Sequence, residues 1–158
     1  DIMGDDLVIA MSAIRMEGPT KEYAPVEWPA TADYETVCAL NAAADKLAYR
    51  HATGVVQSKD SFYGQHDPSS MAAVPALSEK WEAWLRLGAL CSEMETAALF
   101  TVAALRRVRC GSVLHVIANQ TRRDKGLSDP KVYDTDKAVR TAVEAMRIMI
   151  EQDRSKHA

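Results

Sequence analysis

The chain has 158 residues, 47% of them hydrophobic and 26% charged, with a net charge of −3. This size and balance fit a single soluble globular domain, residues 1–158, with a sizeable core. No Lys/Arg block points to a nucleic-acid partner, the longest apolar run is far too short to span a bilayer, and no secretory leader is visible. The first residues, Asp1-Ile2-Met3-Gly4-Asp5-Asp6, read as a turn that passes at once into a buried strand over 7–16 (LVIAMSAIRM), which Glu17-Gly18-Pro19 closes. A turn running straight into a buried strand is the pattern of a domain's interior, so the chain reads as part of a longer one. Residues 20–32 carry Pro25 and Pro29 and read as loop, with Tyr23, Trp28 and Tyr34 packing it on the surface.

Asp33 can cap a helix over 34–50 whose Val37, Leu40, Ala44 and Leu47 face the core. A short β-branched strand over 53–58 follows and leads into a polar, aromatic loop from Lys59 to Pro68. Next come a helix over 77–87, striped by Leu77, Trp81, Trp84 and Leu85, a helix over 94–108, and a strand over 111–118. After a loop over 124–133, a last helix over about 135–152 turns Val139, Val143, Met146 and Ile150 inward. Strands alternating with helices imply an α/β fold: a three-layer α/β/α arrangement around a mixed, largely parallel sheet.

The stretch 91–122 holds the functional signals. Its strand ends on Asn119, Gln120, Thr121 and Arg122, and the C-terminal ends of buried strands are where α/β proteins place ligands. Ser92-Glu93-Met94-Glu95 fits a capping box, with Ser92 as N-cap and Glu95 three residues on. The same carboxylates can instead accept hydrogen bonds from vicinal sugar hydroxyls, which suit a group with two acceptor oxygens. In the loop, Phe62 can stack a flat ring and Gln65 can read its edge with one donor and one acceptor. The bland alternative is a packed loop with a buried Phe. His66 reads as a surface histidine, His115 carries no assigned role, and Arg106, Arg107 and Arg109 read as helix-end cations lining solvent. Cys38, Cys91 and Cys110 are widely spaced, form no metal knuckle, and read as reduced and mostly buried.

Taken together, SEMETA with its apolar helix, VLHVIANQT, GDDLVIAMSAIRMEG, KEYAPVEWPATADYE and SKDSFYGQH resemble the uridine phosphorylase family of the nucleoside phosphorylase-I superfamily along essentially the whole chain. The resemblance implies reversible phosphorolysis of uridine to uracil and ribose 1-phosphate in pyrimidine salvage. It implies no metal and no organic cofactor, with inorganic phosphate as co-substrate. It assigns Glu95 to the ribose 2′- and 3′-hydroxyls, Met94 to the sugar face with Glu93 beside it, Phe62 to base stacking and Gln65 to the uracil edge. Where many relatives carry an arginine after the loop glutamine, this chain reads His66-Asp67, so His66 is the expected substitute donor. Gln120 stands where another arginine is common. Ala118 replaces the aspartate of purine-cleaving relatives, which favours a pyrimidine.

The family's phosphate-binding glycine turn and arginines would precede residue 1, so the chain reads as the C-terminal portion of the fold, lacking its N-terminal portion and its phosphate site. The resemblance also implies a cytoplasmic homo-oligomer, in the family a hexamer built as a trimer of dimers. A water-using nucleosidase, a non-catalytic chain needing a partner half, and a binding module that holds uridine without turnover are the competing readings.

Overall fold

The computed structural model describes residues 2–156; Asp1, the first residue of the expected opening turn, His157 and Ala158 lie outside the described residues. In chain order the elements are β1 (Leu7–Met16), α1 (Thr20–Tyr23), β2 (Ala30–Thr31), α2 (Tyr34–Lys46), β3 (His51–Lys59), α3 (Tyr63–His66), α4 (Val74–Arg86), β4 (Ser92–Glu93), α5 (Thr96–Arg106), β5 (Ser112–His115), α6 (Gln120–Asp124) and α7 (Asp136–Lys156). The strands pair in the order β2-β1-β3-β4, with β5 also on β1, giving a mixed sheet in the α/β class that the alternation implies. The chain divides into two compact units, the first of residues 2–11, 32–54 and 109–156, the second of 12–31 and 55–108.

In the first unit β5 runs antiparallel to the start of β1, with Leu7 opposite His115 and Ile9 opposite Val113. The opening turn is tight at Gly4, where a Cβ would stand 1.8 Å from the Pro130 carbonyl oxygen, so no other residue fits there. Asp33 caps α2 as expected, its Oδ1 accepting from the Thr36 amide at 2.9 Å. Val37, Leu40 and Ala44 face inward and join Ile9, Ala43, Ala145 and Met149 in one core cluster. The helix ends at Lys46, short of residue 50, because Leu47 closes it and Ala48 takes a left-handed φ of 54°.

The inward face of α7 and the setting of Arg109 also depart from expectation in this unit. On α7 the inward face is Thr141, Glu144, Ala145 and Met149, whereas Val139, Val143, Met146 and Ile150 are all exposed. The reason is size: α2 presents alanines, and their close packing accepts small residues such as Ala145 more readily than a row of branched ones. Arg109 does not simply line solvent. Its guanidinium ion-pairs with Glu35 on α2 at 3.1 Å and with Asp153 on α7.

In the second unit β2 pairs antiparallel with β1 through Ser12–Thr31 and Ala13–Ala30, and β4 pairs parallel with β3 through Gln57–Ser92 and Ser58–Glu93. Phe100 on α5 is fully buried, beside Thr96, Ala97, Thr101 and Ala103 on the same helix. Residues 20–32, read as loop, contain α1 and β2. Their anchor is Arg15, since Tyr23 and Trp28 stay half exposed. Its Nη1 donates to the carbonyls of Pro25 and Trp28 at 2.5 and 2.7 Å, and its Nη2 to those of Thr20 and Ala24 at 2.9 Å each. On α4, Trp84 donates its indole N–H to the Met16 sulfur at 2.8 Å. Cys38 is exposed, and Cys91 and Cys110 are part-buried, which corrects the reading of mostly buried thiols; all three are free.

Candidate functional site

The paired ends of β3 and β4 build the candidate site in the second unit. Parallel pairing brings two carboxyl strand ends side by side, and each feeds a helix: β3 leads to α3, β4 to α5. At the start of α5 the expected capping box does not form. The helix begins at Thr96, Ser92 lies in β4, and Glu95 occupies the cap position without a side-chain cap bond. Glu93 caps the helix instead. Its Oε2 accepts from the Glu95 and Thr96 amides at 2.7 Å each. Its Oε1 accepts from the Ser58 hydroxyl, and the Ser58 oxygen in turn accepts from the Ala97 amide at 2.8 Å. Both oxygens of Glu93 are therefore committed to holding the turn.

That arrangement leaves Glu95 exposed, its carboxylate without a side-chain partner among the described residues, with Met94 beside it also exposed at 39%. A carboxylate so placed at a helix N-terminus can accept two hydroxyl donors.

Across the strand pair, the loop after β3 coils into α3. Phe62 is 54% exposed. The His66 imidazole lies on it, ring centroids 4.2 Å apart and planes tilted by 32°, and Tyr63 meets it edge-on at 5.6 Å. The bland reading of Phe62 as a buried packing residue is excluded by that exposure.

Lys59, which sequence reasoning passed over as one more residue of the loop, joins the two halves. Its Nζ donates to Gln65 Oε1 and to Ser92 Oγ at 2.9 Å each, stands 3.4 Å from His66 Nε2, and lies 5.6 Å from the centroid of Phe62. Burial pushes its ammonium down to about 8, against the opposing pull of Glu93 and Cys91. Burial likewise pushes the Cys91 thiol up to about 12, with the Glu93 charge adding to it, so this cysteine is a poor nucleophile. The available signal was position alone: a lysine as the last residue of a strand whose neighbours Val56, Gln57 and Ser58 are all buried.

The structure thus brings Phe62, Gln65, His66, Glu93, Met94 and Glu95 onto the elements around these two strand ends. Gln120 belongs to the first unit, at the first residue of α6, after Asn119, whose Oδ1 caps that helix by accepting from the Arg122 amide at 3.2 Å. Among the described residues no His, Cys, Asp and Glu side chains gather as a metal-holding group, and no helix is long and apolar enough to cross a membrane.

A family model described as the phosphorylase superfamily matches residues 1–151. Over 153 residues the chain is 54% identical to the uridine phosphorylase of Treponema pallidum, a match covering 97% of this chain and 59% of that protein. It is 38% identical to the uridine phosphorylase of Thermococcus kodakarensis, covering 96% of this chain and 53% of that one. It is 29% identical to the guanosine phosphorylase of Halorubrum lacusprofundi, covering 95% and 58% respectively. The chain therefore spans between 53% and 59% of the length of these relatives.

Proposed function

The chain belongs to the phosphorylase superfamily, and from that premise we propose that it forms the sugar- and base-binding part of a uridine phosphorylase. The reaction converts uridine and inorganic phosphate to uracil and ribose 1-phosphate, reversibly, with no metal or organic cofactor. A phosphate oxygen forms the new bond to C1′ as the C1′–N1 bond breaks, and the electron pair leaves with the base. Positive charge develops on the ribose and negative charge on the uracil, so an anion at the sugar and donors at the base stabilise the transition state. Glu95 grips the 2′- and 3′-hydroxyls, with Met94 on the sugar face and Glu93 as the cap that aims them. Phe62 carries the base, and Gln65 and His66 supply its polar contacts. Phosphate contributes as an oriented nucleophile. The enzyme works in the cytoplasm as a homo-oligomer.

The observation that carries this reading is the division of labour between the two glutamates. Glu93 is consumed by the helix start, and the neighbouring Glu95 is left exposed, without a side-chain partner among the described residues, just after the strand that pairs with β3, whose following loop holds half-exposed Phe62. Uracil release from uridine by the purified protein, with and without inorganic phosphate, tests it. Phosphate-dependent release is expected where a phosphate-binding part accompanies residues 1–158, and little or none from these residues alone. Release at the same rate without phosphate would make the reaction hydrolysis, faster turnover of guanosine would move the base assignment to purines, and no release from a sample that holds the phosphate-binding part would overturn the reading.

A further inference from the structure

We propose that Lys59 is the cation that receives the negative charge of the departing base, a role that rests on the phosphorolysis reading above. Lys59 is buried to 7% exposure, and its partners Gln65, Ser92 and His66 are uncharged or chargeable only as cations. The adjacent carboxylate, Glu93, spends both oxygens on Ser58 and on the Glu95 and Thr96 amides, and among the described residues Lys59 makes no ion pair. Asp60, the next residue, turns its carboxylate to the Gly18 amide at 3.0 Å. A cation withdrawn from water without a paired counter-ion is a standing cost to the fold. A neutral side chain of the same length would link β3, α3 and β4 without that cost. An arriving negative charge removes it.

His66 marks where that charge would come. It is a flat nitrogen heterocycle, stacked on Phe62 at 4.2 Å, and it turns a ring nitrogen to Lys59 at 3.4 Å. A pyrimidine taking that place on Phe62, with the imidazole turned aside to its edge, brings a carbonyl oxygen to the ammonium in place of the longest of the three Lys59 contacts. Gln65 is oriented by the same lysine: with its Oε1 accepting from Nζ, its amide hydrogens are left for acceptors of the base. When the C1′–N1 bond breaks, its electron pair spreads from N1 onto the uracil oxygens. Lys59 donates a hydrogen bond to one of them and keeps its proton, and the uracil anion takes its proton from water afterwards.

The groups facing Nζ are His66 on α3, and Cys91 and Glu93 beside and within β4. With these around it the ammonium loses its proton near pH 8, so turnover should fall as pH rises through that value.

The test uses uridine turnover by the purified protein between pH 6 and 10, for the wild type, Lys59→Met and Lys59→Arg. Lys59→Met should lower kcat on the order of a hundredfold, the scale of one lost transition-state donor, and should lose the alkaline fall near pH 8. Lys59→Arg should recover most of the rate and move that fall to higher pH. With 5-fluorouridine, whose base carries negative charge more easily, the Met defect should shrink, which a merely misfolded variant would not do. A Met variant within twofold of wild type, or one that keeps both the alkaline fall and the same defect on 5-fluorouridine, overturns the proposal.

Equilibrium binding of barbiturate, a pyrimidine that is an anion at neutral pH, separates this from the parent reading. Preference for barbiturate over uracil that vanishes in Lys59→Met and returns in Lys59→Arg supports the cation subsite even if uridine is not turned over. Equal preference in all three proteins overturns it.

Discussion

Ser58 and Glu93 stand opposite each other in register on the parallel strands β3 and β4, and the Ser58 hydroxyl donates to the Glu93 carboxylate. Between them the two side chains take up the amides of Glu95, Thr96 and Ala97, the first donors of α5, which a helix cannot satisfy from within. Glu93→Ala should therefore cost about 0.5–2 kcal/mol of stability, the scale of a lost helix cap. Glu93→Gln, which keeps one acceptor oxygen, should cost less. Urea denaturation measures both, and an Ala variant with the wild-type midpoint would remove Glu93 from the cap.

Glu95 should behave in the opposite way. Its side chain is exposed and holds nothing in the described structure, so Glu95→Ala should change stability by no more than about 0.5 kcal/mol. On the proposed reading, kcat/KM for uridine should fall on the order of a hundredfold or more. The preference for uridine over 2′-deoxyuridine should collapse at the same time, because the group that distinguishes the 2′-hydroxyl is gone. Preserved discrimination in the variant would place the sugar contact elsewhere.

What the sequence made legible was local. Asp33 before an apolar helix announced its own cap, and Val37, Leu40 and Ala44 announced their face, since propensity and periodicity act within one element. What it hid was set by partners. In Ser92-Glu93-Met94-Glu95 the spacing fits a capping box, but strand pairing draws Ser92 and Glu93 into β4 and delays the helix to Thr96. Helix α7 carries an apolar stripe, Val139, Val143, Met146 and Ile150, that stays exposed, while the face with Ala145 and Met149 packs into the cluster with the alanines of α2. Lys59 read as the first residue of a polar, aromatic loop, and its contact with Ser92 exists only because β4 pairs with β3.

Arg15 should prove to be the stay of residues 20–29. Its Nε donates to the Thr20 hydroxyl at 3.1 Å, its two Nη groups donate to backbone carbonyls of the segment, and buried Glu17 accepts from the Thr20 amide at 2.9 Å. Arg15→Lys keeps the charge but not the planar fork, so it cannot serve carbonyls on several sides. Faster amide hydrogen exchange over 20–29, with little change in α2 or α7, is the expected result. Unchanged exchange in that segment would assign its order to other contacts.

Glu144 supplies a pH test of the α2–α7 packing. The carboxylate accepts from Lys46 at 2.5 Å and from Arg147 at 3.2 Å, and these cations, Lys46 foremost, hold it below the usual carboxylate range. A carboxyl group with a lower pKa folded than unfolded stabilises the fold above its unfolded value, and loses that contribution as pH falls through its folded one. The unfolded value is 4.5. The stability difference between wild type and Glu144→Gln should thus be constant around neutral pH and shrink as pH drops below about 4.5, where the protonated acid and the amide become alike. Urea titrations of both proteins at pH 7 and pH 3 measure it. A difference of the same size at both values would mean that the Gln variant loses packing and not charge.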